Sequence, residues 1–216
     1  MKSIAAINVS PRKQGSSAML LNMLKEDLEN RGDVVSVVHL YSHLKDINVI
    51  IDAVSDADIV VISGPCYVNT YPADTTMLLE ELAARHGALH GQKLYGIIQG
   101  GMPYAHTHVS GLNMLRIFAK KAGIPYQGGF LIGLGAMLDG GSLDKLPNGR
   151  KTKIRLARFF EHIHRGEESP DSLYEEALLR LPGIVTRMIA ASTNRKIDKT
   201  FAARGMDARQ PNPYLD

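Results

Sequence analysis

The sequence predicts an α/β protein: one five-stranded parallel sheet with helices on both faces, followed by a C-terminal helical extension. Three observations carry this. Short apolar runs alternate with longer segments of helical periodicity up to about residue 165. The runs are apolar almost throughout, as strands covered on both faces are. Turns rich in Gly, Pro and Ser separate the two kinds of segment.

Residues 4–9 read as the first strand, and 16–31 as the first helix, with Leu20, Leu21, Leu24 and Leu28 on one stripe and Gly32 as its stop. The β-branched run 34–40 is the second strand. Residues 44–55 form a weak helix. The third strand is 58–63, broken by Gly64-Pro65. Helix 73–86 follows, with Met77, Leu78, Leu82 and Ala83 as its apolar face. Strand 93–98 stops at Gly100-Gly101. Helix 108–122, strand 130–134 and a basic amphipathic helix over 149–165 complete the alternation. Right-handed crossovers leave few arrangements of such a chain. Five strands fit the flavodoxin-like order 2-1-3-4-5, in which ligands sit past the strand C-termini where strands 1 and 3 diverge. The loops after strands 1, 3 and 4 are therefore expected to share one site.

The first of these loops holds Ser10, Arg12, Lys13, Gly15, Ser16 and Ser17 ahead of a helix start. A helix leaves its first N–H groups unpaired and carries a partial positive charge there, which suits a phosphate. The hydroxyls donate, Gly15 permits close approach, and Arg12 and Lys13 supply charge. The segment is neither a nucleotide-triphosphatase P-loop nor the G-x-G-x-x-G dinucleotide fingerprint. An ordinary strand-to-helix loop with a Ser cap is the competing reading.

Residues 9–17, with Leu20 and Leu21 behind them, resemble the first loop of the NADPH-dependent FMN reductase family, whose pattern is roughly G-S-P-R-x-x-G-N-T before an apolar helix. Here Val9 replaces the first Gly, and Ser16 and Ser17 replace Asn and Thr. The loop after strand 3 resembles the family's P-x-Y-x-x-x-x-P segment at Pro65, Tyr67 and Pro72. The resemblance implies that this loop wraps a flavin ring, with backbone donors at Cys66, Tyr67, Val68 and Asn69 and with Tyr67 or Tyr71 packed on the ring. In the next helix Thr76 and Glu80-Glu81 stand where the family has a Lys and an Asp-Arg pair. Gln99, Gly100 and Gly101 match a Gly-rich turn on the flavin's pyrimidine side. The resemblance implies FMN as cofactor, NADPH or NADH as electron donor, and a quinone, azo, nitro or flavin acceptor reduced in a ping-pong cycle. It implies a homodimer or homotetramer as well. A flavodoxin-like electron carrier without nicotinamide turnover, and a flavin-free sensor or scaffold, are the alternatives.

No acid–base catalyst stands out. Cys66 lacks the C-x5-R phosphatase pattern, since Pro72 occupies the Arg position; an inert, half-buried thiol is expected. His106 and His108 lack the partners of a metal site, so no metal is expected; a helix-start, site-rim or proton-donating role remains open for them. Hydrophobic residues make up 44% of the 216, charged residues 22%, and the formal charge of +3 is too mild to argue for nucleic acid. The single cysteine rules out an internal disulfide or a four-cysteine cluster. Met1-Lys2 leads straight into a strand and no membrane-length apolar run occurs, so a cytoplasmic protein is expected.

The expected domains are 1–166, the FMN-binding unit, and 167–216, an arm. In the arm a helix runs from Ser169 to about Leu181, Pro182-Gly183 breaks it, and a second helix covers 184–191. Between Arg180 and Arg209 seven Lys or Arg face Asp198 and Asp207. A docking arm, a helix on an anionic membrane surface and a basic lid over a pyridine nucleotide are the readings this leaves open. Asn212-Pro213-Tyr214 carries no helix signal.

Overall fold

The computed structural model describes residues 1–85, 87–179 and 182–206. Its sheet has the order β2-β1-β3-β4-β5, all parallel. The strands are β1 (Ser3–Asn8), β2 (Val34–His39), β3 (Ile59–Pro65), β4 (Lys93–Gln99) and β5 (Tyr126–Ile132). The helices are α1 (Ser16–Asn30), α2 (Asn48–Ser55), α3 (Ala73–Ala84), α4 (Val109–Ala122), α5 (Gly149–Arg165), α6 (Ser172–Ala177) and α7 (Gly183–Ala203). Every residue of β3, the middle strand, is buried, which is why its sequence shows no alternation.

Side chains alternate across the sheet. In β4, Tyr95 meets Phe159 of α5 and its hydroxyl donates to Glu167 O at 2.8 Å. Its neighbour Gly96 faces α4, where a Cβ would come within 2.7 Å of Leu115. Thus α5 covers one face and α4 the other, and α1 packs beside α5.

Several boundaries differ from expectation, each for a local reason. β3 continues through Gly64-Pro65, which pair in register with Ile98 and Gln99. The Cys66 N–H bonds toward β4, so the Pro65 nitrogen faces the opposite side, where β1 has already ended and no donor is needed. β5 starts at Tyr126, not 130. Gly128 and Gly129 lie inside the strand: Gly129 lets Leu112 approach, and Gly128, at φ +113°, sits against Ser169 O. In α3 the buried stripe is Thr75, Leu78, Leu79 and Leu82, while Met77 and Ala83 face solvent. α2 begins only at Asn48, after a single 3-10 turn at Leu40–Ser42.

Contacts divide the chain into two units, Met1–Leu179 and Arg180–Asp216. Residues 167–179, placed in the arm above, pack with the first unit. Leu173 and Tyr174 are buried, Arg155 pairs with Glu176, and Ser169 N–H donates to Gln127 O at 2.7 Å. The helix expected to run to Leu181 ends at Ala177. α7 forms most of the described part of the second unit. It is longer than the 184–191 segment expected, because no breaker follows Ala191, and it buries no residue. His86, Arg180, Leu181 and residues 207–216, with Asp207, Arg209 and Asn212-Pro213-Tyr214 among them, lie outside the described residues.

Candidate functional site

The β1–α1 loop is held by short polar bonds. Asn8 Oδ1 accepts the Ser10 N–H at 3.0 Å, and Ser10 Oγ accepts the Arg12 N–H at 3.2 Å. His39, at the end of β2, donates from Nε2 to Ser10 O at 2.8 Å, while its Nδ1 lies 2.9 Å from Ser42 Oγ. Val9 stands where the family pattern has glycine, and its φ is not positive. It extends β1 and donates to Ser63 O at 2.9 Å. Gly64 on the next strand makes room for it: a Cβ there would lie 2.4 Å from Val9 Cγ2.

Gly15 caps α1 in extended geometry, and no side chain caps the helix. Met19 N–H makes the first helical bond, to Gly15 O at 3.0 Å. The N–H groups of Ser16, Ser17 and Ala18 therefore lack acceptors within the helix, and no acid occupies its first turn. Ser17 is 1% exposed, and its Oγ has no hydrogen-bond partner among the described residues. A buried orphan hydroxyl is costly and marks the place where an acceptor would be welcome.

After β3 the chain makes a tight turn, with Tyr67 N–H to Thr70 O at 2.7 Å and the reciprocal bond at 3.2 Å. Val68 (φ 49°) and Asn69 (φ 69°) are both left-handed. That is ordinary for Asn and strained for β-branched Val. Of the four backbone donors expected here, two are engaged within the protein: Cys66 N–H donates to Gln99 O at 2.7 Å and Tyr67 N–H to Thr70 O. Tyr71 is also not a ring-packing residue. It is 2% exposed, donates to Ile97 O at 3.1 Å, and fills the space left by Gly64, Gly96 and Gly111. The Cys66 thiol donates to Thr107 O at 3.3 Å, and burial raises its pKa against the opposing Asn69 N–H.

After β4, Gly100 N–H donates to Ile132 O at 3.1 Å and Gly100 O accepts the Gly135 N–H at 2.7 Å. A Cβ at Gly100 would strike the His108 ring. His108 is buried and its Nε2 donates to Met102 O at 2.9 Å, so it fastens this loop from beneath rather than forming a rim. His106 is exposed and stacks on Tyr104. Among the described residues no group of three or more His, Cys, Asp or Glu is placed to hold a metal.

The three loops meet in one cleft of about 320 Å³ at the C-terminal edge of the sheet. Ser10, Arg12, Gly15 and Ser16 line it from the first loop, Pro65, Cys66 and Tyr67 from the second, and Gln99, Gly100 and Gly101 from the third. Lys13, Val68 and Asn69 are exposed and Ser17 is buried; none of these four lines it. A fourth wall was not foreseen. Gly135, Ala136, Asp139 and Gly140 come from the loop after β5, and Gln14 joins from the first loop. Ser16 Oγ lies 3.4 Å from both Gly135 O and Gly140 N, tying that wall to the start of α1. The run of Gly133, Gly135, Gly140 and Gly141 past a strand end was the available signal.

Solved structures share this architecture. An NADH:FMN oxidoreductase in its apo form is 22% identical, with a TM-score of 0.62 over 83% of this chain and 97% of its own. An oxidoreductase from Corynebacterium diphtheriae is 18% identical, at 0.58 over 82% and 98%. An FMN-dependent NADH-azoreductase from Bacillus anthracis, in complex with FMN, is 13% identical, at 0.57 over 74% and 99%. At such identities the likeness is one of fold. No curated protein matches the sequence. The model of the NADPH-dependent FMN reductase family matches residues 2–132, from β1 through β5 and across the first three loops of the cleft, and the chain belongs to that family.

Proposed function

We propose that the protein is an FMN-dependent NAD(P)H oxidoreductase that reduces a quinone, azo, nitro or flavin acceptor in a ping-pong cycle. The observation that carries the reading is the uncapped start of α1, whose Gly15 and Ser16 line a cleft built from the three loops, with an orphaned Ser17 hydroxyl buried at the next position. These residues fit the cofactor. A phosphate would be held by the N–H groups of Ser16, Ser17 and Ala18, by the Ser17 hydroxyl and by Arg12. A flat ring would lie between Pro65–Tyr67 and the Gly100-Gly101 backbone. Small residues there permit approach, and Tyr67 offers an aromatic face.

When bound, FMN supplies the hydride chemistry. The chain's part is to position and enclose. Gln99 and the backbone of Gly101 offer polar contacts beside the ring site, and Cys66, holding its proton, adds a neutral, soft surface. No side chain is assigned a proton-transfer role. α7 leaves Ile184, Met188 and Ile189 exposed, which supports the docking-arm reading and a homodimer or homotetramer. Among the described residues no helix is long and apolar enough to cross a membrane.

The test is to add FMN to the purified protein, record the flavin spectrum, and mix the complex with NADPH or NADH in a stopped-flow instrument. Binding followed by bleaching within the turnover time is expected. Binding without bleaching would replace the enzyme reading with the electron-carrier one, and absence of binding would leave only the flavin-free fold.

A further inference from the structure

The loop between β5 and α5 lies beyond residues 2–132, the part matched to the family, yet it supplies one wall of the cleft. Among the described residues that line it, Asp139 is the one acid and Arg12 the one cation. Asp139 Oδ1 lies 3.9 Å from Arg12 Nη1. The loop backbone sets this position. Leu138 is fully buried, its carbonyl accepts the Gly141 N–H at 2.7 Å and the Lys145 ammonium at 3.2 Å, and Asp139 (φ 43°) and Gly140 (φ 71°) then turn left-handed. The Gly140 N–H reaches Ser16 Oγ at the start of α1.

Both charged side chains are more than three-quarters exposed, so the pair itself contributes little to stability. Its consequence is electrostatic. A cleft whose other features suit a phosphate also carries a carboxylate that occupies the cradle's cation and repels a second anion. A phosphate must share Arg12 with Asp139, whereas an uncharged sugar-alcohol tail meets no such opposition.

We propose that Asp139 is a specificity-determining residue: it lowers the site's preference for phosphorylated over unphosphorylated flavin and so keeps FMN exchangeable. This rests on the flavin-site reading above. The chemical class of ligand follows from it. A site that grips the phosphate weakly suits a flavin that is released and replaced, as a flavin acceptor must be.

The experiment measures dissociation constants of FMN and riboflavin, by quenching of flavin fluorescence, for the full-length protein and for Asp139→Asn, at low salt and at high salt. Asn tolerates the left-handed conformation well, so the loop keeps its shape. A carboxylate and a phosphate within one cleft, partly screened by water, predict that Asp139→Asn tightens FMN by about three- to tenfold at low salt. Riboflavin affinity stays unchanged, and the gain shrinks at high salt. Unchanged or weaker FMN binding, or an equal gain for riboflavin, overturns the assignment of Asp139 and leaves the flavin site standing. If the unsubstituted protein binds neither flavin, the flavin-site reading itself fails and this inference falls with it.

Discussion

Replacing Ser17 by Ala should move the stability of the ligand-free protein and its affinity for FMN in opposite directions. The Ser17 hydroxyl is buried with no partner among the described residues. Leaving such a group unsatisfied costs about 1–3 kcal/mol, and Ala adds a few tenths of a kcal/mol through its helix propensity. The small void left by the oxygen offsets part of this. A net gain of about 1 kcal/mol remains, equivalent to about 2–4 °C in Tm for a chain of this size. With FMN present the same oxygen becomes a donor to phosphate. A hydrogen bond to a charged group is worth about 1.5–3 kcal/mol, so Kd should rise about 10- to 150-fold. Urea denaturation of the ligand-free protein and a fluorescence-quenching titration read the two arms. Ser16→Ala is the control. It gains the same propensity but loses the contacts of Ser16 Oγ with Gly135 O and Gly140 N, so it should not stabilise. A Ser17→Ala protein that is less stable without ligand would mean that the hydroxyl has an internal role. One that is more stable yet binds FMN unchanged would remove Ser17 from the phosphate site.

Three further outcomes are expected. Val68→Asn relieves a β-branched residue at φ 49° that is 96% exposed, so it should raise stability by about 1 kcal/mol; an unchanged denaturation midpoint would contradict the turn described. Tyr71→Phe removes the bond to Ile97 O from the core and should cost about 1 kcal/mol with no change in FMN affinity. A large affinity loss would return Tyr71 to the ring site. The Cys66 thiol, its pKa raised by burial, should be alkylated by iodoacetamide at pH 8 more slowly than a free thiol, because less of it is thiolate there. Reactivity should climb as pH rises further, and FMN should slow it again, since Cys66 lines the cleft. Mass spectrometry of the labelled protein checks both, and equal rates with and without FMN would count against the cleft as the flavin site.

The strand order was legible because burial on both faces writes itself into sequence as runs such as Ile4-Ala5-Ala6-Ile7 and Ile59-Val60-Val61-Ile62. The first loop was legible through its residue types. Much of the remainder depends on what lies opposite a residue in space. Gly128 and Gly129 signal a turn locally, yet Leu112 and Ser169 make them strand positions. Tyr71 sits in a loop segment with ligand-facing character, but three glycines on β3, β4 and α4 open a core slot for its ring. His39 and Asn8 shape the first loop from the ends of two strands, and nothing in their local sequence announces it. The fourth wall escaped because β5 is the edge strand, away from the switch between β1 and β3. Only the curl of the loop after it brings Asp139 back over the entrance to α1.

The account turns on where the phosphate binds, and a crystal structure of the FMN complex measures that directly. It should show the phosphate within hydrogen-bond distance of the Ser16, Ser17 and Ala18 N–H groups and of Ser17 Oγ, with the ring between the turns after β3 and β4. Density for the phosphate at any other end of the sheet, or for a ring held outside these turns, would contradict it.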